Sequence, residues 1–338
     1  MNEVKIGVVG TGTMGKLHLE AWSKMKAVKI NGIAGRNHEV VEQLSETYKT
    51  KGFTDYEDLL KSDVEVIDIC LPTYLHSEFI RKAAKSGKHI ICEKPLALDG
   101  KECKELYDFC TAHNVQLLVG HTLRFYPEYI HAREQVKNGA IGNPGVVRLS
   151  RGGPYPKGID AWYKDEAKSG GVMLDLGIHD FDWLRWTFGE VERVMAKQIK
   201  RESEDGTPIE HAFVTLRMQS GTIAHLELSW AKKSFESSFE ITGDKGMLAH
   251  HDRESNPIKL NITVPSNEIG NGVIVPERIG NISPLEQQLE HFRKCLVAEE
   301  KMLVSAEDVI HAVEVAKAAI ESAKSGQPVT LLSKKEVV

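Results

Sequence analysis

A glycine-rich turn between a strand and a helix is the feature that most constrains how this chain folds. Val4 to Val9 form a short, largely β-branched run, and the residues from Gly12 to Lys26 carry apolar side chains at helical spacing. At the junction the chain reads Gly10-Thr-Gly-Thr-Met-Gly15, which fits the pattern G-x-G-x-x-G. A strand before the pattern and a helix after it are the context that predicts a dinucleotide-binding turn.

The chemistry of dinucleotide binding accounts for each glycine of this turn. Gly10 permits the tight turn, Gly12 lets the backbone approach a pyrophosphate, and Gly15 lets the helix pack closely on the strand. The amides at the start of the helix, including those of Thr13 and Met14, then face the phosphates. The alternative is a plain turn without a ligand, which the strand-to-helix context disfavours.

Strands and helices continue to alternate over the first 120 residues. Strands are expected over 29–34, 64–71, 89–92 and 115–120, and helices over 38–48, 55–61, 78–86 and 99–114. Such βαβ units predict a parallel sheet with right-handed crossovers. Ligands on a sheet of this kind bind beyond the carboxyl ends of its strands, so the residues that follow each strand are the candidates for a site.

The rest of the chain changes to strands of alternating polarity. Strands are expected over 146–151, 192–200, 211–218, 222–230 and 236–242, helices at about 172–187, 284–299 and 305–324, and a loop with weak strand character over 265–282. We therefore predict an α/β Rossmann domain with a parallel sheet over residues 1–122. Residues 123–338 are predicted to form an α+β domain with a large, mostly antiparallel sheet that carries the substrate site.

Composition and charge exclude several other classes of protein. The net charge is −5 and the sequence has no basic stripe, which argues against nucleic-acid binding. The five cysteines form no C-x-x-C pair, which argues against a disulfide framework or a thiolate zinc site and indicates a reducing compartment. There is no apolar stretch of the roughly 20 residues that span a membrane and no signal peptide, so we expect a cytoplasmic protein without membrane contact.

The end of the second predicted strand bears on the choice of cofactor. An acidic residue there would bind the adenosine ribose and favour NAD. The chain instead reads Ala34-Gly-Arg36-Asn-His38, with no carboxylate. Arg36 can pair with a 2′-phosphate or stack on adenine, so the cofactor is predicted to be NADP or NAD, with NADP slightly favoured.

The turn Glu93-Lys94-Pro95 directly follows a strand that is predicted to be buried. A charged pair in that place is costly unless it is solvated or used. Proline fixes its own backbone geometry and restricts Lys94 before it. A lysine held beside a nicotinamide can polarise an alcohol or carbonyl oxygen. The alternative is a surface turn whose charges lie in water.

Asp175, His179 and Asp182 stand at i, i+4 and i+7 of the helix predicted over 172–187, and this spacing places them on one face. Moving a hydride from a secondary alcohol requires removal of the hydroxyl proton, for which His179 is the natural general base. Lys94 would stabilise the alkoxide-like oxygen, and Asp175 would hold a neighbouring hydroxyl or orient the site. The alternatives are a polar surface helix and a metal site; since the mechanism needs no metal, none is predicted.

Five motifs, taken in order, give the chain a resemblance to the Gfo/Idh/MocA oxidoreductases, a family named for glucose–fructose oxidoreductase and inositol dehydrogenase. They are Gly10–Gly15, Cys70-Leu-Pro-Thr-Tyr-Leu-His76, Glu93-Lys-Pro95, Arg124-Phe-Tyr-Pro127 and Gly170-Gly-Val-Met-Leu-Asp-Leu-Gly-Ile-His-Asp180. The resemblance covers essentially the whole chain. It implies that Lys94 lies next to nicotinamide and that the Lys94–Pro95 bond is a candidate cis bond. It also implies that Pro72, Thr73 and His76 line the cofactor cleft.

The resemblance further implies substrate contacts and an assembly. It gives Asp175 and His179 the catalytic roles described above, and by analogy with the inositol dehydrogenase branch Arg124 and Asp182 contact a polyol. Trp162 and Tyr163 are candidates for an aromatic wall against a sugar or cyclitol, with core packing as the alternative. Family members often pair through the faces of their C-terminal sheets, so a homodimer or homotetramer is expected.

The expected reaction is hydride transfer between NAD(P) and a secondary alcohol or ketone of a sugar, cyclitol or related polyol. One alternative is an enzyme of the same fold that oxidises a sugar transiently, for elimination or glycoside cleavage. A second is a non-catalytic dinucleotide-binding sensor. Arg36 stands where the inositol dehydrogenase branch is expected to have an acidic residue, so the chain departs from that branch. The substrate candidates therefore include amino sugars, sugar acids and non-carbohydrate alcohols besides inositol.

Overall fold

Two sheets organise the chain. The computed structural model describes residues 3–204, 206–252 and 282–331. Within these ranges a six-stranded sheet lies in the N-terminal part and a seven-stranded sheet in the C-terminal part. The helices that connect the strands cover the faces of both sheets, apart from one face of the second.

The first sheet is parallel throughout. Its strands are β1 (Val4–Val9), β2 (Val28–Ala34), β3 (Gly52–Phe53), β4 (Val66–Ile69), β5 (His89–Cys92) and β6 (Leu117–Val119). They lie in the order β3-β2-β1-β4-β5-β6, with every pairing parallel. The order reverses at β1, and dinucleotides bind beside such a reversal in doubly wound sheets. The predicted Rossmann domain is confirmed.

The helices of the first sheet differ in how their N-termini are capped. They are α1 (Thr13–Ser23), α2 (His38–Tyr48), α3 (Tyr56–Lys61), α4 (Thr73–Lys85) and α5 (Gly100–Ala112). The side chains of Asn37, Asp55 and Asp99 accept hydrogen bonds from first-turn amides of α2, α3 and α5. No side chain in the described ranges caps α1 or α4, which begin after Gly12 and Pro72. Their first amides therefore stay available for a ligand.

The second sheet is mostly antiparallel, as predicted. Its strands are β7 (Pro144–Gly152), β8 (Val191–Glu202), β9 (Pro208–Met218), β10 (Ile223–Ser229), β11 (Glu236–Gly243), β12 (Met247–His251) and β13 (Val329–Thr330). The order is β12-β11-β7-β10-β9-β8-β13, with β7 and β10 paired parallel and the other pairs antiparallel. Alternate residues of β9 are buried, and the intervening ones form an outer face that includes Phe213, which is 63% exposed.

The helices of the C-terminal part depart from the predicted pattern at one important place. They are α6 (Pro127–Lys137), α7 (Glu166–Ser169), α8 (Gly171–Asp175), α9 (Ile178–Phe188), α10 (Pro284–Leu296) and α11 (Ala306–Ser325), with 3-10 turns at Thr122–Phe125 and Ile159–Lys164. The single helix predicted over 172–187 is divided into α8 and α9. At the joint the amide of Gly177 donates to the carbonyl of Val172, five residues back, so the turn there is wider than in an α-helix.

The last long helices return to the N-terminal part. Leu285, Leu289 and Phe292 of α10 lie in one buried cluster with Trp22 and Ile91 of the first sheet's layer. Helix α11 packs against both α5 and β8. The chain therefore crosses between the two sheets more than once, and the division at residues 122 and 123 stays a prediction.

Three further expectations concern the chain as a whole. The five cysteines, all within the described ranges, are buried and free. Among the described residues no helix is both long and apolar enough to cross a bilayer. The loop predicted over 265–282 lies outside the described residues, except for its last position.

Candidate active site

A cleft of about 1780 Å³ runs along the carboxyl ends of the first sheet's strands and reaches α8 and α9. Most of the residues singled out from the sequence line it. These are Gly10, Gly12, Thr13, Met14, Arg36, Pro72, Thr73, Glu93, Lys94, Trp162, Tyr163, Asp175 and His179. Gly15, His76, Arg124 and Asp182 are not among the described lining residues.

The three glycines of the first turn have different surroundings. A Cβ at Gly10 would lie 2.3 Å from the carbonyl oxygen of Cys70, and one at Gly15 would lie 1.8 Å from that of Gly10. A Cβ at Gly12 would meet none of the described atoms within 4 Å. Gly10 and Gly15 are therefore required by the packing of β1 and α1. Gly12 leaves an open space beside uncapped amides, which fits a pyrophosphate.

Arg36 lies at the adenosine end expected for this cleft. Its side chain is 77% exposed, and its guanidinium is 3.2 Å from the carboxylate of Asp160, which is itself 71% exposed. An ion pair this exposed contributes little stability. The guanidinium is thus free to leave Asp160 for a ligand.

His76 supports the wall of the cleft from behind. It is buried, with Nδ1 2.9 Å from the carbonyl oxygen of Pro95 and Nε2 2.8 Å from that of Leu71. Burial lowers the pKa of His76, and the carbonyl oxygens oppose that shift. The imidazole joins the segments that follow β4 and β5, so its contact with the cleft is indirect.

Lys94 is held by α8. Its side chain is 12% exposed, and Nζ donates to the backbone carbonyl of Asp175 at 2.9 Å and to the Oδ1 of that residue at 3.4 Å. The Lys94–Pro95 bond is cis. Burial raises the pKa of Asp175, and the Lys94 ammonium opposes the rise. The lysine therefore has a defined position in the cleft, beside α8.

His179 contributes a neutral base to the same cleft. Its Nδ1 is buried and has no hydrogen-bond partner among the described residues. Desolvation lowers the pKa of His179 well below its usual value, and the charges of Lys94 and Arg151 lower it further. At neutral pH the imidazole is therefore uncharged, and His179 lines the cleft together with Lys94. A neutral imidazole in this cleft can take a proton from a hydroxyl that the lysine holds.

Arg124 and Asp182 are paired with each other behind the cleft. The Arg124 Nε and one terminal nitrogen donate to the two carboxylate oxygens of Asp182 at 2.8 and 2.6 Å. Arg124 is 1% exposed and Asp182 0%. The resemblance implied that both contact a substrate; the structure instead has each satisfying the other's buried charge, which would be costly alone. Asp182 lies three residues after His179 in α9 but, unlike Asp175 and His179, is not among the described residues that line the cleft.

Arg151 and Asp180 form a second buried pair, which the sequence interpretation missed. Two nitrogens of Arg151 lie 2.7 and 2.9 Å from the Asp180 carboxylate, and one of them also donates to the hydroxyl of Tyr129 at 2.8 Å. Arg151 lines the cleft. It stands near the end of β7, at the start of a glycine- and proline-rich stretch, and Asp180 directly follows His179, so position along the chain was the available signal.

Trp162 and Tyr163 form an aromatic wall. They are 9% and 7% exposed, their ring centroids lie 4.0 Å apart, and both line the cleft. Tyr163 also packs edge-on against Trp230. The same two rings therefore serve the core and bound one side of the cleft.

The fold and the cleft together define an oxidoreductase that binds a nicotinamide dinucleotide, and comparison with known proteins agrees. Residues 4–121 match the family model described as "Oxidoreductase family, NAD-binding Rossmann fold". Residues 133–331 match the model of the same family's "C-terminal alpha/beta domain". The chain belongs to this family, the Gfo/Idh/MocA oxidoreductases, as the five motifs predicted.

Several relatives resemble the chain over most of its length. A myo-inositol 2-dehydrogenase of Thermotoga maritima is 30% identical over 263 residues, covering 75% of this chain and 78% of the relative. An inositol 2-dehydrogenase of Rhizobium meliloti is 25% identical, covering 97% and 99%. The solved structure of scyllo-inositol dehydrogenase from Lactobacillus casei, with bound NAD(H) and scyllo-inositol, is 24% identical, has a TM-score of 0.78 and covers 97% and 99%. At that identity the structural match speaks for the fold alone.

Proposed function

We propose that the protein transfers a hydride between NAD(P) and a secondary alcohol or ketone of a sugar, cyclitol or related polyol. The observation that carries the proposal is that Lys94 and a neutral His179 line the same cleft as Gly10 and Gly12 of the glycine turn. The names of the relatives support the substrate class, since two of them are inositol dehydrogenases.

The cofactor would lie along the uncapped start of α1. Gly12 provides the open approach, and the amides of Thr13 and Met14 would bind the pyrophosphate. When bound, the nicotinamide supplies the carbon that accepts or donates the hydride. Arg36 supports NADP over NAD, because its weakly held guanidinium is available to a 2′-phosphate.

Three residues of the cleft would have separate tasks in the reaction: one stabilises the negative charge on the oxygen, one transfers the proton, and one positions the first. Lys94 would donate a hydrogen bond to the reacting oxygen and stabilise its negative charge. His179, which lines the cleft and is uncharged at neutral pH, would take the hydroxyl proton during alcohol oxidation and return it during ketone reduction. Asp175 fixes the lysine through two contacts, so that the ammonium does not have to be ordered during the reaction.

Further residues in the cleft and behind it would shape the rest of the substrate site. Trp162 and Tyr163 would cover an apolar face of the ring. Arg151, near the end of β7, is a buried cation that lines the cleft, so we assign it to a substrate hydroxyl or acid group. Arg124 and Asp182 would act by holding α9 against the turn at Thr122–Phe125.

Lys94, Asp175 and His179 occur together in the cleft, which favours an enzyme over a non-catalytic sensor.

The direct experiment measures nicotinamide reduction by the purified protein. NAD⁺ and NADP⁺ are supplied separately with cyclitols, aldoses, sugar acids and simple alcohols. Lys94→Ala should lower kcat/KM by about 100-fold or more, because it removes the donor at the reacting oxygen. Lys101→Ala, at a lysine whose side chain is 88% exposed on α5, is the matched control and should leave the rate unchanged. Bound dinucleotide without turnover on any substrate would contradict the proposal.

A further inference from the structure

Three ionisable side chains are buried behind the Glu93-Lys94 turn, and the proposed reaction does not use them directly. They are His18, Asp68 and Glu93, which are 1%, 0% and 6% exposed. The imidazole Nδ1 of His18 lies 2.8 Å from the Oδ2 of Asp68, and its Nε2 lies 3.1 Å from the Oε1 of Glu93. The three come from α1, β4 and the residue after β5, so the group joins three elements that meet at the cleft.

The two short contacts define the charge of the imidazole. A neutral histidine has one N–H and one lone pair, and a lone pair facing a carboxylate would be repelled. Because both nitrogens of His18 face carboxylate oxygens, both must donate, and the ring is an imidazolium shared by two anions. Burial is the largest single influence and opposes this charge, but the charge and hydrogen bond of Asp68, together with Cys70, raise the pKa of His18 well above its usual value.

The neighbours of the group complete its hydrogen bonds. The indole N–H of Trp22 donates to the same Oδ2 of Asp68 at 2.7 Å. The thiol of Cys70 is 3.7 Å from the other oxygen of Asp68. The backbone N–H of Lys94 donates to the Oε2 of Glu93 at 3.2 Å. The carboxylate of Glu93 is therefore held on one side by His18 and on the other by the backbone of the catalytic lysine.

A bound metal ion is the competing explanation for a histidine, an aspartate and a cysteine that lie so close together. Ligand atoms of His18, Asp68 and Cys70 lie within 4.8 Å of one another. However, the 2.8 Å between His18 and Asp68 is a hydrogen-bond distance, and the Trp22 N–H donates to the same Asp68 oxygen. Burial also raises the pKa of the Cys70 thiol to about 12, which disfavours the thiolate ligand. The geometry favours an ionic hydrogen-bonded group.

We infer that His18 is a positioning residue, whose imidazolium holds Glu93 and thereby keeps Lys94 oriented toward Asp175 and the reacting oxygen. The inference rests on the proposed function, because it concerns the reaction that Lys94 serves. Without the positive charge of His18, Glu93 would be a buried carboxylate with one cationic neighbour, the Lys94 ammonium. The lysine would then be drawn to Glu93 and away from the substrate oxygen.

The test compares His18→Gln with His113→Gln, a control at a half-buried histidine that bonds only a helix carbonyl. His18→Gln should lower kcat about 10-fold or more, with the dinucleotide Kd changed less than about threefold. The double variant His18→Gln/Glu93→Gln should recover part of the loss, because no unpaired buried carboxylate remains. Equal losses of kcat in the single and double variants would overturn the inference.

Two spectroscopic readouts do not depend on a known substrate, so they separate a failure of this inference from a failure of the proposed function. In ¹⁵N-histidine-labelled protein the His18 ring should keep both N–H protons at pH 8. After reductive ¹³C-methylation, the Lys94 signal, assigned with Lys94→Arg, should move in His18→Gln, because the ammonium would then lie closer to Glu93. A neutral His18, an unmoved Lys94 signal, or a stoichiometric bound metal would each overturn it.

Discussion

The desolvated imidazole of His179 determines how the reaction should depend on pH. Desolvation and the nearby cations lower the pKa of this imidazole well below 6.5. A base acts only when deprotonated, so alcohol oxidation should lose rate only as pH falls below the lowered pKa. We expect the acid limb of kcat/KM to lie well under pH 6.5, measured by dinucleotide reduction from pH 4 to 8. An acid limb at or above 6.5 would exclude His179 in this environment as the base.

Arg36 offers a residue-scale test of cofactor choice. Because its guanidinium has only an exposed partner, Arg36→Ala should cost little stability. If the side chain binds a 2′-phosphate, the NADP⁺ Kd should rise about 10-fold, while that for NAD⁺ changes less than about twofold. Fluorescence titration with both dinucleotides measures this, and Arg36→Lys, which keeps the charge, is the control. Equal weakening of both cofactors would indicate stacking on adenine instead.

The sequence pointed to cleft residues where the signal lies in one short segment. Gly10 and Gly12 of the glycine turn, Lys94, and the pair Asp175 and His179 each belong to such a segment, and all of them line the cleft. It did not anticipate the partners of Arg124 and Arg151, because each arginine meets a carboxylate about 58 or 29 residues away in the chain. Nothing local in a sequence distinguishes an arginine that faces a ligand from one that faces a distant aspartate.

At the scale of elements, the turn before α1 allows a matched pair of substitutions. Gly12 has a φ of −78° and open space around its missing Cβ, so Gly12→Ala should leave the unfolding temperature of the free protein nearly unchanged. Its new methyl group should occupy the approach of the pyrophosphate and raise the dinucleotide Kd about 10-fold or more.

Gly15→Ala should behave in the opposite way. Its Cβ would lie 1.8 Å from the Gly10 carbonyl oxygen, so α1 must move away from β1 at a cost of about 1–3 kcal/mol or more. Calorimetry without ligand and dinucleotide titration separate the two effects. The interpretation fails if both variants lose the same stability, or if Gly12→Ala binds dinucleotide as well as the parent protein does.

Strands and helices were predictable where the apolar residues of a segment followed one clear spacing. The parallel strands read as apolar runs, since β4 is buried at every position, and their helices carry clear amphipathic spacing. The break between α8 and α9 was missed because the apolar spacing continues across it. Only glycine fits at the joint, since a Cβ at Gly177 would lie 2.5 Å from the carbonyl oxygen of Met173. Helix α6 was missed because its apolar face is weakly marked in the sequence.

At the scale of the whole molecule, the outer face of the second sheet bears on assembly. Helices cover the inner face, while Ile199, Phe213 and Ile223 are 50%, 63% and 37% exposed on neighbouring strands. We predict a homodimer or homotetramer that buries this face. Phe213→Glu should then reduce the mass measured by light scattering and leave the unfolding temperature of the monomer unchanged, because the side chain packs on little within one subunit.

A control for this prediction changes an exposed apolar residue outside the sheet. Met302→Glu, at a side chain that is 36% exposed between α10 and α11, should leave the mass as it is. A parent protein that is monomeric at all concentrations, or a Phe213→Glu variant of unchanged mass, would refute assembly through this face. The strand order that creates the face was not predictable, because the parallel pairing of β7 with β10 joins segments separated by two other strands.

The return of α10 to the first sheet has a consequence for the synthesis of this protein. The strands and helices of the dinucleotide half leave the ribosome first, yet Trp22 and Ile91 lie in a cluster completed by Leu289 and Phe292. That helix is made roughly 170 residues after the first sheet ends, a delay of about 10–30 seconds at usual elongation rates. During this interval the nascent sheet exposes an apolar surface, so the growing chain should depend on chaperones more than its final stability suggests.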